Sequence, residues 1–369
     1  MPAQKFILER SLLRPADIIL SRDKTFISLG VQLGTMGRYS HAALYVGGTA
    51  IEATIDGVFS KNPQRMIFNR PTDVLVLRAK KTLLPHEAHV ICANAQDKVG
   101  SLYALNEAIT LRARSLLRRE NSKQQFCSRL VAMAFDDAGF DLINLRHPPF
   151  CTPRQLSLCK AFRPVKGIVR PAEHEEVEFA NTPDPARENQ RQMYEWLDKT
   201  RELVKRSPEL AGTWDIQTQK DVNEFLVSNP KYDKEISGFA EDSGYLQFYK
   251  IEQTQNPFRY NAGLFIFHLS HADEPDEFLD AEIDKEKELV RRYTQMQEIF
   301  CQLFQKTGLM YFRQHLVLYT DLVSDIAVRI SVIRDVLLKL GLDPEPMPQL
   351  LEVLGLMVKA GRTLVVDEN

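Results

Sequence analysis

Three residues of this chain have the types and positions that nucleophilic chemistry needs: Cys127, His41 and Glu52. Cys127 follows "NSKQQF" and opens the helix-period run "QQFCSRLVAMAFDDAGF". The apolar face of that run is Phe126, Leu130, Val131, Ala134 and Phe135, and it stops near Gly139, so the spacing predicts an amphipathic helix. Unpaired N–H groups and the dipole at a helix start stabilise a thiolate, the nucleophilic form of cysteine. His41 lies in "GRYSHAALYVGG", where Gly47 and Gly48 supply the positive φ of a two-residue hairpin turn. With that turn, Val46 pairs with Thr49, Leu44 with Ile51 and Ala43 with Glu52. Side chains alternate along a strand, which puts His41 on the face of Ala43 and Glu52, at a diagonal Cβ separation of about 7 Å that a glutamate bridges. A carboxylate holding an imidazole is the orienting half of a nucleophilic triad, so the chemistry in view is acyl transfer.

The elements that must position these residues differ between the two halves of the chain. The first half alternates β-rich runs, "DIILS", "HAALYVGG", "AIEATIDGVFS" and "TDVLVLRAK", with Gly, Pro, Asn and Asp turn signals, and the natural reading is antiparallel strands. Helical patterns follow in "LLPHEAHVICANAQDKVG", from Pro85 to Gly100, and in "YALNEAITLRARSLLRREN". Residues 164–188 are rich in proline and acidic residues and read as a linker or surface crossing. Beyond them the pattern is mostly helical, with a long stretch from Asp276 to Leu340 interrupted near Gly308, a last helix around "MPQLLEVLGLMVKAG" and one strand-like interlude, "AGLFIFHLSH". The expected fold class is α+β. A first domain of antiparallel sheet or small barrel packed on helices covers residues 1–172, a linker 173–188, and a mostly helical, acidic domain 189–369.

Hydrophobic residues at 44% and charged residues at 26% suit a soluble globular protein and argue against disorder or a fibrous repeat. The net charge of −2 hides an asymmetry: residues 1–172 hold 25 Lys and Arg against 13 Asp and Glu, and the remainder holds 22 against 36. Oppositely charged halves attract, so a basic domain docked on or covered by an acidic one is the simplest account; a basic surface for an anionic substrate or membrane is the rival. Five cysteines, an odd number with no CxxC spacing, argue against a disulfide framework and a zinc site. Glu9, Arg10, Arg14 and Asp17 interrupt any signal-type apolar core, and no eighteen apolar residues run together, so a cytoplasmic protein without a spanning helix is expected.

In order along the chain, "LRPADIILSR", "YSHAALYVGG", "IEATIDGV", "VGSLYAL", "QFCSRLVAMAFDDAGF" and "CTPRQLS" resemble the circularly permuted papain-like cysteine hydrolases of the NlpC superfamily, in particular the YiiX-like branch. The resemblance covers about residues 11–160 and implies a permuted papain-like fold. Residue by residue it implies Cys127 as nucleophile, His41 as general base and acid, and Glu52 as the orienting residue. In "VGSLYAL", Leu102 stands where the family pattern has proline, and Tyr103 is left as a candidate for lining the substrate cleft.

The function expected from these residues is a thiol hydrolase, an amidase or peptidase, that cleaves an amide bond through an acyl-enzyme. The backbone N–H of Cys127 is one oxyanion donor in this reading. A lipid-directed acyl hydrolase or acyltransferase with the same triad, and a non-catalytic binding or scaffold module on the same fold, are the alternatives. Substrates would be a peptide, an amino-acid conjugate or a lipid-like molecule; nucleic acid is not expected, and peripheral membrane contact stays open. No metal or cofactor is expected, because His86 and His89, three apart on a helix, have no carboxylate or thiol placed to complete a ligand set. His268 and His271 are placed at a strand end and loop. Cys92, Cys151, Cys159 and Cys301 read as structural, and Arg112, Arg114, Arg118 and Arg119 as a solvated or docking face.

Overall fold

The computed structural model describes residues 3–22, 38–104, 123, 125–142, 145, 147–272 and 274–366. The chain is α+β and divides into two compact units, Met1–Asn223 and Glu224–Asn369. The helix expected to carry Arg112, Arg114, Arg118 and Arg119 lies outside the described residues.

In the first unit, six antiparallel strands form one sheet in the order β5-β4-β3-β2-β6-β7. Their ranges are β2 Ile18–Ser21, β3 His41–Tyr45, β4 Ala50–Thr54, β5 Gly57–Lys61, β6 Val74–Ala79 and β7 Phe162–Pro164. A separate pair joins β1 Phe6–Leu8 to β8 Val169–Pro171. The central strands are buried on both faces, which is why "DIILS" and "HAALY" read as continuous apolar runs. On one face, Leu20, Ala42, Leu44, Ile51 and Ala53 pack with Ile91 and Ala95 of α1 (Pro85–Gln96) and Leu130, Val131 and Phe135 of α2 (Cys127–Asp136). On the other, Ile19, Ala43, Tyr45, Ala50 and Val76 pack with Leu8, Met66, Phe68 and Ile168.

Two sequence expectations change here. The run "AIEATIDGVFS" is two strands, because a turn at Ile55 and Asp56 ends β4, and Gly57, at φ +115°, starts β5. Residues 173–188 are an anchored segment rather than a linker: they hold α3 (His174–Asn181) and the start of α4 (Pro185–Arg206). Their prolines and acids are helix-start residues, with Asp184 capping α4 and Pro185 in its first turn. Arg65 donates to the carbonyls of Phe179 and Pro183, both at 3.1 Å. Further on, the Tyr194 hydroxyl lies 3.0 Å from the carbonyls of both Val58 and Ser101, and its ring stacks on Phe59. A Cβ at Gly57 would overlap that hydroxyl. Contacts of this kind carry the first unit on to Asn223, beyond the expected boundaries. The charge asymmetry is partly resolved within this unit, since Arg170 pairs with Glu176 and Lys123 with Asp221, both at 2.7 Å.

The second unit is helical. Among its elements are α5 (Asp233–Asp242), α6 (Ala262–Ser270), α7 (Pro275–Thr307), α8 (Met310–Lys339) and α9 (Met347–Val366), with Gly308, at φ +65°, between α7 and α8 as expected. The stretch "AGLFIFHLSH" is helix α6, not a strand. Asn261 caps it by accepting from the Leu264 N–H at 3.0 Å, and Phe265 and Leu269, four apart, are buried with Ile326 and Ile330 of α8. His268 is therefore helical and His271 is the residue that ends the helix. Charged pairs pack against α7: Arg329 of α8 meets buried Glu286 with two bonds of 2.9 Å, and Arg259, from the turn Pro257–Tyr260, meets Glu282 at 2.7 and 2.8 Å. Among the described residues, no helix is long and apolar enough to cross a membrane.

Candidate active site

The hairpin has the register that its turn dictates. Ala43 pairs with Glu52, Leu44 with Ile51 and Tyr45 with Ala50, and the Val46 N–H donates to the Thr49 carbonyl at 2.8 Å. Gly47 and Gly48, at φ +92° and +74°, supply the turn, in a region where side chains with a Cβ are disfavoured. Glu52 is thereby placed diagonally to His41, and their contact is direct: His41 Nε2 lies 2.9 Å from Glu52 Oε2. Both side chains are buried, at 3% and 8% residue exposure, so the contact is shielded from the solvent that weakens surface pairs.

Cys127 is the first residue of α2 and His41 the first of β3, so the two side chains meet where both elements begin. The thiol lies near enough to the imidazole to act on its charge. Helix α2 differs from the amphipathic element that its sequence suggests, because eight of its ten residues are buried, Ser128 and Arg129 included. Their polar groups are satisfied locally: Ser128 Oγ donates to the Cys151 carbonyl at 2.7 Å, and Arg129 Nε to the Pro149 carbonyl at 3.0 Å. The Arg129 guanidinium also lies over the Phe126 ring, 4.6 Å from its centroid. These bonds fix the first turn of the helix, and with it the position of the sulfur.

The electrostatics of the site are set by opposing effects. Burial pushes the His41 value down, but the hydrogen bonds and charges of Cys127 and Glu52 outweigh it and raise His41 to about 10. Burial pushes Glu52 up, while His41 and then Lys61 pull it down to about 2. Such an arrangement favours an imidazolium held by the Glu52 carboxylate. Tyr103 is also brought to the site: it bridges to Gln125 beside the start of α2, packs against the cluster of Ala104 and Phe126, and has its phenol raised by burial and by the nearby Cys127.

All five cysteines are free thiols. Cys92 and Cys151 are buried, and burial raises the first to about 11 and the second further, as suits inert core thiols. One residue of the cluster was not singled out by sequence: Lys61, whose Nζ lies 3.6 Å from Glu52 Oε1. The signal was present in "IDG", since a turn there pairs Glu52 with Phe59 and Ala50 with Lys61. Comparisons of this chain with family models, with curated proteins and with solved structures return no match.

Proposed function

We propose that the protein is a cysteine hydrolase of amidase or peptidase type, with Cys127 as nucleophile, His41 as general base and acid, and Glu52 as orienting carboxylate. The observation that carries this reading is His41 held between a helix-start thiol and a buried carboxylate. Glu52 engages Nε2, so Nδ1 is the nitrogen that exchanges a proton with sulfur. The Cys127 thiolate attacks an amide carbonyl carbon, and the oxyanion that forms is met by N–H groups at the start of α2. Imidazolium then gives its proton to the leaving amine as the C–N bond breaks, leaving a thioester on Cys127. Water, deprotonated by His41, attacks the thioester carbonyl; the C–S bond breaks and the carboxylic acid departs. Tyr103 is a wall of the cleft in this reading. The resemblance to the permuted papain-like hydrolases supports the same assignment, and five free thiols support a cytoplasmic setting.

The test is a panel of peptide amides, amino-acid amides and acyl esters, with the acyl-enzyme sought as added mass on the Cys127 peptide. Cys127→Ala is expected to abolish turnover and His41→Ala to slow it by about 10²–10⁴-fold. A faster reaction with lipid esters than with any amide would move the assignment to the lipid-directed alternative. Turnover that survives Cys127→Ala would refute the proposal.

A further inference from the structure

The two oxygens of Glu52 are held from the two strands that flank β4. Oε2 is taken by His41 from β3, and Oε1 faces Lys61 from β5 at 3.6 Å. Lys61 pairs with Ala50, two residues before Glu52, so its side chain shares the Glu52 face and reaches it along the diagonal. The end of the strand is itself fixed, since Thr49 Oγ1 donates to the Lys61 carbonyl at 2.9 Å. The Lys61 side chain is 39% exposed against 11% for Glu52, so the ammonium spans from solvent to a buried carboxylate.

His41 keeps its Nε2–H on that carboxylate but cannot supply the counter-charge throughout a reaction in which it gives its Nδ1 proton away. At the moment the imidazole becomes neutral, Glu52 would stand as a buried anion without a counter-charge, a costly state that it would relieve by taking up a proton or turning away. A lysine does not cycle. We propose that Lys61 is a positioning residue that keeps Glu52 ionised and oriented while His41 alternates between imidazolium and imidazole. This rests on the assignment of Cys127, His41 and Glu52 as a triad.

Among the described residues, the charged and titratable groups around Glu52 are His41 from β3 and Lys61 from β5, with Cys127 of α2 beyond His41 and Tyr103 and Cys151 beyond Cys127. Loss of Lys61 lets Glu52 protonate at a higher pH, which withdraws its support from the imidazolium and so from the thiolate. The predicted consequence is an upward shift of the acid limb of Cys127 reactivity.

The experiment is the rate of alkylation of Cys127 by iodoacetamide against pH in the full chain, read by mass spectrometry on the Cys127 peptide, with thermal melts to confirm folding. Lys61→Met is expected to lower the rate on the acid limb by about two- to fivefold, the size set by a partly exposed pair. Lys61→Arg is expected to restore the wild-type profile, because it returns the cation. A Lys61→Met profile that superimposes on wild type, while Glu52→Gln and His41→Ala both slow alkylation, would overturn the role of Lys61 and leave the triad standing. Lys61→Arg as slow as Lys61→Met would also overturn it. Alkylation unchanged in Glu52→Gln and His41→Ala would overturn both assignments together.

Discussion

Arg329 and Glu286, in the second unit, are as deeply buried as His41 and Glu52 in the first, at 6% and 1% exposure against 3% and 8%. The two pairs are otherwise unlike. Arg329 meets both oxygens of Glu286, Tyr260 lies 3.2 Å from its Nη1, and Lys285 adds a second cation 3.3 Å from Glu286. An arginine keeps its proton at any physiological pH, so the Arg329–Glu286 pair has no proton to exchange and serves to hold α7 against α8. His41 is bonded to Glu52, and in the proposed function it exchanges a proton with the thiol of Cys127. Burial of charge is common to both pairs; an imidazole, whose proton can be lost and regained, belongs to the first alone. That difference, rather than burial, is what marks a candidate site.

The comparison can be broken first through stability. Arg329→Met leaves Glu286 buried without its bidentate partner and is expected to cost about 3–5 kcal/mol in urea unfolding, whereas the double change Arg329→Met with Glu286→Leu is expected to recover most of it. A single change costing under about 1 kcal/mol would mean that the network is not structural in this sense.

A smaller and more selective effect is expected from pH. Glu52, lowered from 4.5 to about 2, contributes stability that is present above pH 4.5 and lost as pH falls toward 2. His41, raised from 6.5 to about 10, contributes stability that is complete below pH 6.5 and lost as pH rises through 10. The difference in melting temperature between wild type and His41→Ala should therefore be widest between these limits, at about pH 5–6, and narrow toward both ends. The same difference taken for the Arg329 and Glu286 double variant should stay flat from about pH 6 to 9, because the arginine keeps its proton throughout. A flat profile for His41→Ala would erase the distinction between the two pairs.

Much of the site was legible in the sequence because it depends on local rules. Two glycines and a period of two are sufficient to align Glu52 with Ala43 and to turn it toward His41. The position of Cys127 at a helix start was equally local. The burial of that helix was not, since Ser128 and Arg129 look like a polar face until the carbonyls of Cys151 and Pro149 are brought against them. The misreading of "AGLFIFHLSH" has the same origin. Its aromatic and branched residues suit a strand, and what decides for helix is the Asn261 cap together with burial of Phe265 and Leu269 beside α8, more than fifty residues away. Prolines and acids near residue 184 looked like linker composition because helix-start residues and linker residues are the same types. Lys61 escaped notice because its contact with Glu52 exists only once "AIEATIDGVFSK" is divided into two strands.

The most direct measurement is the titration of the His41 imidazole by NMR in protein labelled with ¹⁵N-histidine, its resonances assigned by their loss in His41→Gln. The account predicts an imidazolium at pH 7 that titrates near 10, and a clear fall in that value in Cys127→Ala, where the sulfur no longer supports the charge. A His41 that is neutral at pH 7, titrates at or below 6.5 and is unmoved by Cys127→Ala would contradict it.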